Sequence, residues 1–176
     1  MVKLISSFIF LILLFLGCDS TEPIIEDTSG EVTINNSTNG FSFSKGKAIS
    51  FPNSENISPD ILILAHLDQQ GTVLGVFFST DSIRPAFHLV KEFSDVDSAK
   101  TFFYNLAEVP DSNYEDLAIP VKINQIWAVK TTESKYGKIV ILNTNAYEYS
   151  PSPGFRGYYA EAKFKWKYQP NGSRYF

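Results

Sequence analysis

From Tyr158 to Tyr168 the chain alternates without interruption. Tyr158, Ala160, Ala162, Phe164, Trp166 and Tyr168 fall on one side, and Tyr159, Glu161, Lys163, Lys165 and Lys167 on the other. A period of two cannot serve a helix, whose faces repeat every 3.6 residues; it describes a half-buried antiparallel strand. Shorter segments from Gly40 onward read the same way. Phe41 to Phe51 predicts one or two strands with a bend at Lys45-Gly46-Lys47. Asp60 to Leu67 is a continuous apolar run suited to a central strand, and Gln69-Gln70-Gly71 turns it into Thr72 to Ser79. Ala86 to Val90 adds another strand, and Gln125 to Thr131 with Tyr136 to Asn143 a hairpin around Thr132-Glu133-Ser134. Pro170-Asn171-Gly172-Ser173 is a tight turn returning the chain into Arg174-Tyr175-Phe176.

One segment has the other period. Between Asp95 and Ala107, residues Val96, Ala99, Phe102, Phe103 and Leu106 share one helical face, and Ser94, Asp95 or Asp97 can cap the N-terminus, where free amides and the macrodipole favour oxygen. The segment Pro110 to Pro120 reads as a loop. The expected fold is mostly β, a β-rich α+β arrangement of antiparallel sheets with one packed helix near 95–107. It occupies a single domain, 40–176, and either a barrel or a two-layer sandwich satisfies the pattern.

Residues 1–17 are a different material. Lys3, the apolar run Leu4 to Leu16 and Gly17 make the charged, hydrophobic and small-residue regions of a secretory signal, too short to span a bilayer. Phe15-Leu16-Gly17-Cys18 resembles the lipobox of bacterial lipoproteins. That resemblance implies cleavage before Cys18, a diacylglycerol thioether on its sulfur and an acylated (palmitate-type) amine. Several acyl chains anchor a protein stably where a single chain does not. Cys18 is the only cysteine, so its acylation excludes disulfides, thiolate nucleophiles and cysteine metal ligands. Residues 18–39, polar and acidic, read as a flexible spacer. Asp19 follows the cysteine; in enteric bacteria that goes with inner-membrane retention, in other phyla not. The expected location is the bacterial cell envelope, with the outer membrane favoured over the inner.

A formal net charge of −4 without a Lys/Arg cluster argues against a nucleic-acid partner. An enzyme is not expected: the chain has no Gly-x-Ser-x-Gly elbow, no His-Glu-x-x-His and no glycine-rich phosphate loop, and paired acids such as Glu115-Asp116 read as loop charges. Two histidines, His66 and His88, are the only imidazoles, and no Met follows the initiator. They are the candidate haem-iron ligands; the alternative is a hydrogen-bonded, partly buried side chain and an ordinary strand residue. Two histidines are also a thin zinc signal, since a closed site wants four ligands. Ala146 to Tyr159 places Tyr147, Tyr149, Phe155, Arg156 and Tyr158 among two prolines and two glycines. A loop of that composition could present flat rings, with an arginine for a carboxylate, to a planar or sugar-like ligand. The alternative is tyrosines that cover the end of the sheet with their hydroxyls in water.

Lys130-Thr131, Lys135-Tyr136-Gly137-Lys138 and Phe164-Lys165-Trp166-Lys167-Tyr168-Gln169-Pro170-Asn171-Gly172-Ser173 together resemble the HmuY-type lipoproteins of Bacteroidota. Gly40-Phe41-Ser42-Phe43-Ser44 and Asp60-Ile61-Leu62-Ile63 are similar to the early strands of that family, with Pro59 where a Trp is usual. The resemblance covers roughly Gly40 to Phe176. It implies a β-rich fold and, in the best-known members, haem capture at the cell surface through two axial side chains in later strands; here nothing after His88 offers an imidazole or thioether. The expectation is a membrane-anchored binding lipoprotein for haem or another hydrophobic, planar ligand, with no cofactor certain. The alternative is a structural lipoprotein that contacts an envelope protein partner.

Overall fold

A computed structural model of the protein describes residues 28–176. The leader, Cys18 and the first part of the spacer lie outside the described residues. Within them run ten strands and one helix: β1 (Ser29–Asn35), β2 (Gly40–Ser42), β3 (Lys47–Ile49), β4 (Ile61–Leu67), β5 (Val73–Ser79), β6 (Phe87–Glu92), α1 (Val96–Asn105), β7 (Ala118–Val121), β8 (Gln125–Lys130), β9 (Tyr136–Tyr149) and β10 (Gly157–Gln169). The strands form two five-stranded sheets, ordered β1-β10-β9-β8-β6 and β3-β2-β4-β5-β7, and every pairing is antiparallel. The first strand pairs with the last without closing a barrel. The described residues form a mostly-β, two-sheet structure with a single helix packed outside.

The alternation of β10 is what joins the layers. Ala162, Phe164, Trp166 and Tyr168 point between the sheets, where they meet Phe41, Phe43, Ile61, Ile63 and Phe78 from the second sheet. Phe41 packs edge-on against Phe43 (5.0 Å) and Phe164 (5.3 Å), and Tyr168 stacks on Phe43 at 5.9 Å. Rings offset in this way gain attraction beyond the area they bury. β8 and β9 are apolar on both faces: Trp127, Val129, Ile139 and Ile141 look into the sandwich, while Ile126 and Val140 look out and are covered by Ala99 and Phe103 of α1. That double burial is why one helix suffices and why it lies there.

Asp95 is the N-cap of α1, its Oδ1 accepting the Ser98 amide at 2.8 Å. Val96, expected on the apolar face, is 39 % exposed, because at the first helical position it lies off the contact stripe. The last turn of the helix has no basic residue of its own. Lys138 on β9 supplies one: its Nζ donates to the carbonyls of Phe103 (2.8 Å) and Leu106 (2.6 Å) and lies 4.9 Å from the Phe176 ring. A cation here satisfies helix-end carbonyls and complements the macrodipole.

Three expectations need correction. The spacer read as 18–39 contains β1, and the folded unit therefore begins before Gly40: Val32 and Ile34 face the sheet interior, and the polar residues between them point outward. The loop Pro110 to Pro120 runs into β7, which pairs with β5. The loop from Ala146 to Tyr159 is in fact the distal end of two long strands joined by residues 150–156. In the first two cases the strand is held by a partner distant in the chain, and in the third by continuation of a hairpin ladder, neither of which local composition reports.

Candidate functional site

β9 and β10 together make a ribbon longer than the sheet around it. On the β8 side, regular pairing stops at Ile126↔Val140, and on the β1 side at Asn35↔Glu161. Leu142 is an extra residue in the ladder, since Asn143 pairs with Lys163 and Ile141 with Phe164. Such a bulge adds twist and bends a strand where pairing changes. Beyond Glu161 the sheet is two strands wide. Asn36 covers part of the open β10 edge, donating from Nδ2 to the Tyr158 carbonyl (2.6 Å) and accepting the Ala160 amide on Oδ1 (2.8 Å).

This ribbon sorts the predicted binding residues onto two faces. Tyr147, Tyr149 and Tyr159 lie on the outer face, because Ala146 and Ala160 between them pack on the core. Tyr147 stacks on Tyr159 with ring centroids 4.8 Å apart and planes 25° from parallel, and Tyr149 follows at 6.5 Å. Tyr149 rests on Gly157, where a Cβ would come 2.7 Å from its ring; an aromatic ring laid over a strand glycine shields bare backbone. Tyr147 and Tyr149 keep 47 % and 43 % of their surface exposed. Tyr159 donates its hydroxyl to Glu161 at 2.6 Å, and that carboxylate pushes the phenol up to about 12.

Tyr158 lies on the opposite face, lining a cavity of about 320 Å³ with Asn36, Asn39, Ile63, Leu64, Ala65 and Leu67. Arg156 is already engaged: its Nε and Nη2 donate to the two oxygens of Glu148 at 2.7 and 2.6 Å. The guanidinium holds the Glu148 carboxyl below its ordinary range. The arginine is therefore an internal clasp of the ribbon, with the Nε–Nη2 edge of its fork spent on Glu148 rather than on a ligand carboxylate. Phe155, 67 % exposed, sits on the connecting loop. Thus the five candidates Tyr147, Tyr149, Phe155, Arg156 and Tyr158 do not converge on one pocket. Glu148 carries no signal of its own in the sequence; its pairing with Arg156 becomes visible only when the register sets Tyr158 opposite it.

The histidines are separated further. His66 alternates with Ala65, which packs on the core, so it stands on the outer face of the second sheet, edge-on to Phe77 at 6.4 Å. His88 alternates with the buried Phe87 on β6 of the first sheet, and its Nδ1 donates to the Asn113 carbonyl at 2.9 Å. The two rings lie on opposite outer surfaces of the sandwich. A porphyrin iron between two imidazoles needs both rings across one slot, so a bis-histidine haem site does not fit this chain. Among the described residues no three His, Cys, Asp or Glu side chains gather into a metal site, and no helix there is long and apolar enough to cross a membrane.

At the other end of the ribbon the residues are structural. Gly137 admits the Phe43 ring, with a Cβ position 2.5 Å from Phe43 Cζ. Thr131 closes the β8–β9 turn, its Oγ1 accepting the Lys135 amide at 3.0 Å. Asp60 is buried and accepts from the amides of Phe43 (2.8 Å) and Thr132 (2.7 Å) and from the Thr132 hydroxyl (3.0 Å), stitching one sheet to the other. Burial raises its carboxyl above the ordinary range despite these donors. No family model, no curated protein and no solved structure matches the chain.

Proposed function

We propose that this protein is a lipid-anchored envelope protein that binds a planar or otherwise flat hydrophobic ligand on the outer face of the β9–β10 ribbon, through Tyr147, Tyr149 and Tyr159. The observation that carries the reading is the stacked, half-exposed tyrosine ladder on the part of the ribbon that outruns its neighbouring strands. Exposed aromatic rings already held in place lose little freedom on binding and present a large flat contact. The lipobox-like Phe15-Leu16-Gly17-Cys18 supports the anchor, and the resemblance to HmuY-type lipoproteins supports a ligand of haem's shape, held without a histidine pair.

Haemin is the flat probe of choice. Titrated into the detergent-solubilised full chain, it is expected to give a saturable Soret change that the Tyr147→Ala, Tyr149→Ala double variant loses and the His66→Ala, His88→Ala double variant keeps. A flat, non-saturating response in the unaltered chain sinks the reading. It would favour the second one, a contact surface for an envelope protein, which draws on Leu64 and Leu74 standing 44 % and 58 % exposed on the second sheet.

A further inference from the structure

The chain enters the fold beside a strip of positive charge. Lys163, Lys165 and Lys167 share the outer face of β10, opposite the buried Ala162, Phe164 and Trp166. Ser29, at the start of β1, pairs with Lys167, and the Thr28 carbonyl accepts the Tyr168 amide at 2.7 Å. Tyr104 of α1, 62 % exposed, flanks the strip and accepts from Lys165 Nζ at 2.6 Å. A cavity of about 330 Å³ opens there, lined by Ser29, Phe103, Tyr104, Lys138, Lys165 and Lys167. Glu31 answers two of these cations, 3.4 Å from both Lys163 and Lys165. Like charges repeated along one strand face repel, and here they do so in a chain of negative net charge.

We infer that this face, Lys163, Lys165 and Lys167 with Tyr104 at its rim, docks on the anionic phospholipid headgroups of the membrane that carries the chain. The inference rests on the lipoprotein reading of Cys18. The ten residue steps from that cysteine to Thr28 reach at most about 35 Å when fully extended, at roughly 3.3–3.6 Å each, so the domain cannot leave the neighbourhood of the surface. The lysines are at the point where that tether enters. Lysine beside a bilayer is attracted to anionic headgroups, and tyrosine favours the interface between apolar and wet regions. β10 runs on from the tether, and at about 3.3 Å per residue its thirteen residues set the tyrosine end roughly 40 Å along the strand from it.

Acylation leaves no native thiol, so a single introduced cysteine reports accessibility. Thr33→Cys stands on β1 opposite Lys163, and Ser152→Cys on the loop at the far end of the ribbon. The lipidated protein is placed on phosphatidylglycerol or phosphatidylcholine vesicles, and each cysteine is reacted with a membrane-impermeant maleimide. On the anionic vesicles Thr33→Cys is expected to react about tenfold more slowly than on the zwitterionic ones, while Ser152→Cys reacts equally on both. The protection should vanish in the Lys163→Gln, Lys165→Gln, Lys167→Gln background and, without any lysine change, at high salt. Equal rates for Thr33→Cys on both vesicles overturn the docking. An intact mass lacking acyl chains on Cys18 overturns the lipoprotein reading, and this geometry with it.

Discussion

Gly137 and Gly157 both sit on the β9–β10 ribbon beneath an aromatic ring, yet the two rings have opposite exposure. The ring over Gly137 belongs to Phe43, fully buried between the sheets; the ring over Gly157 belongs to Tyr149, nearly half in water. The same local device is a buried joint at one end of the ribbon and a solvent-facing cover at the other. What differs is whether a second sheet lies on the ring. The tether end is therefore committed to the fold, whereas the tyrosine end can change residues with little loss of stability.

The largest contrast is between two aromatic truncations. Trp166→Ala is expected to cost about 4 kcal/mol, since it opens a cavity in the shared core, and Tyr149→Ala less than about 1 kcal/mol. Urea denaturation of both variants measures the difference, and comparable losses would mean that the distal ribbon is as integral as the proximal one. The glycines repeat the comparison at smaller scale. Gly137→Ala should destabilise by about 3 kcal/mol because neither Phe43 nor the strand can give, while Gly157→Ala should cost under about 1 kcal/mol as Tyr149 swings aside.

Lys138 comes next. Lys138→Met leaves the Phe103 and Leu106 carbonyls without their donor and should cost about 1–3 kcal/mol. It also has a signature in pH. Burial, with the charge of Lys167 nearby, holds the Lys138 ammonium down to about 8 from an ordinary 10.5. Between those values the unfolded chain binds more protons than the folded one, so stability rises with pH across that window. Urea midpoints taken on both sides of it should show the rise in the unaltered protein and not in Lys138→Met; equal pH profiles would remove the buried cation from the account. The smallest expected effect on folding is that of Tyr147→Ala, under about 1 kcal/mol for one exposed stacked pair. Its signal should be in haemin affinity instead, and a variant that binds as tightly as the parent would take the ladder out of the proposed site.

Much of the proximal half is readable without coordinates. The alternation from Tyr158 to Tyr168 sets which side of β10 is buried, the Asp95 cap and the spacing of Ala99, Phe102, Phe103 and Leu106 set the helix and its packed face, and Pro170-Asn171-Gly172 sets the final turn. These are periodicities and dihedral preferences acting over a few residues, so they are written locally. Gly-Lys-Ile-Val-Ile-Leu from Gly137 also marks the buried cation, as a lone lysine within an apolar run.

The rest depended on which distant residues meet. β1 is a strand because Val32 and Ile34 find the edge of β10; one edge of the Arg156 fork is spent because the β9–β10 register brings Glu148 to it; and His66 and His88 are kept apart because their strands belong to different sheets. A one-residue change of register, such as the bulge at Leu142, exchanges the two faces of a strand. Periodicity and local dihedral preference therefore establish a β-rich domain with a helix near 95–107, while the arrangement of its tyrosines, its arginine and its histidines is a property of how the strands pair and which sheet each one joins.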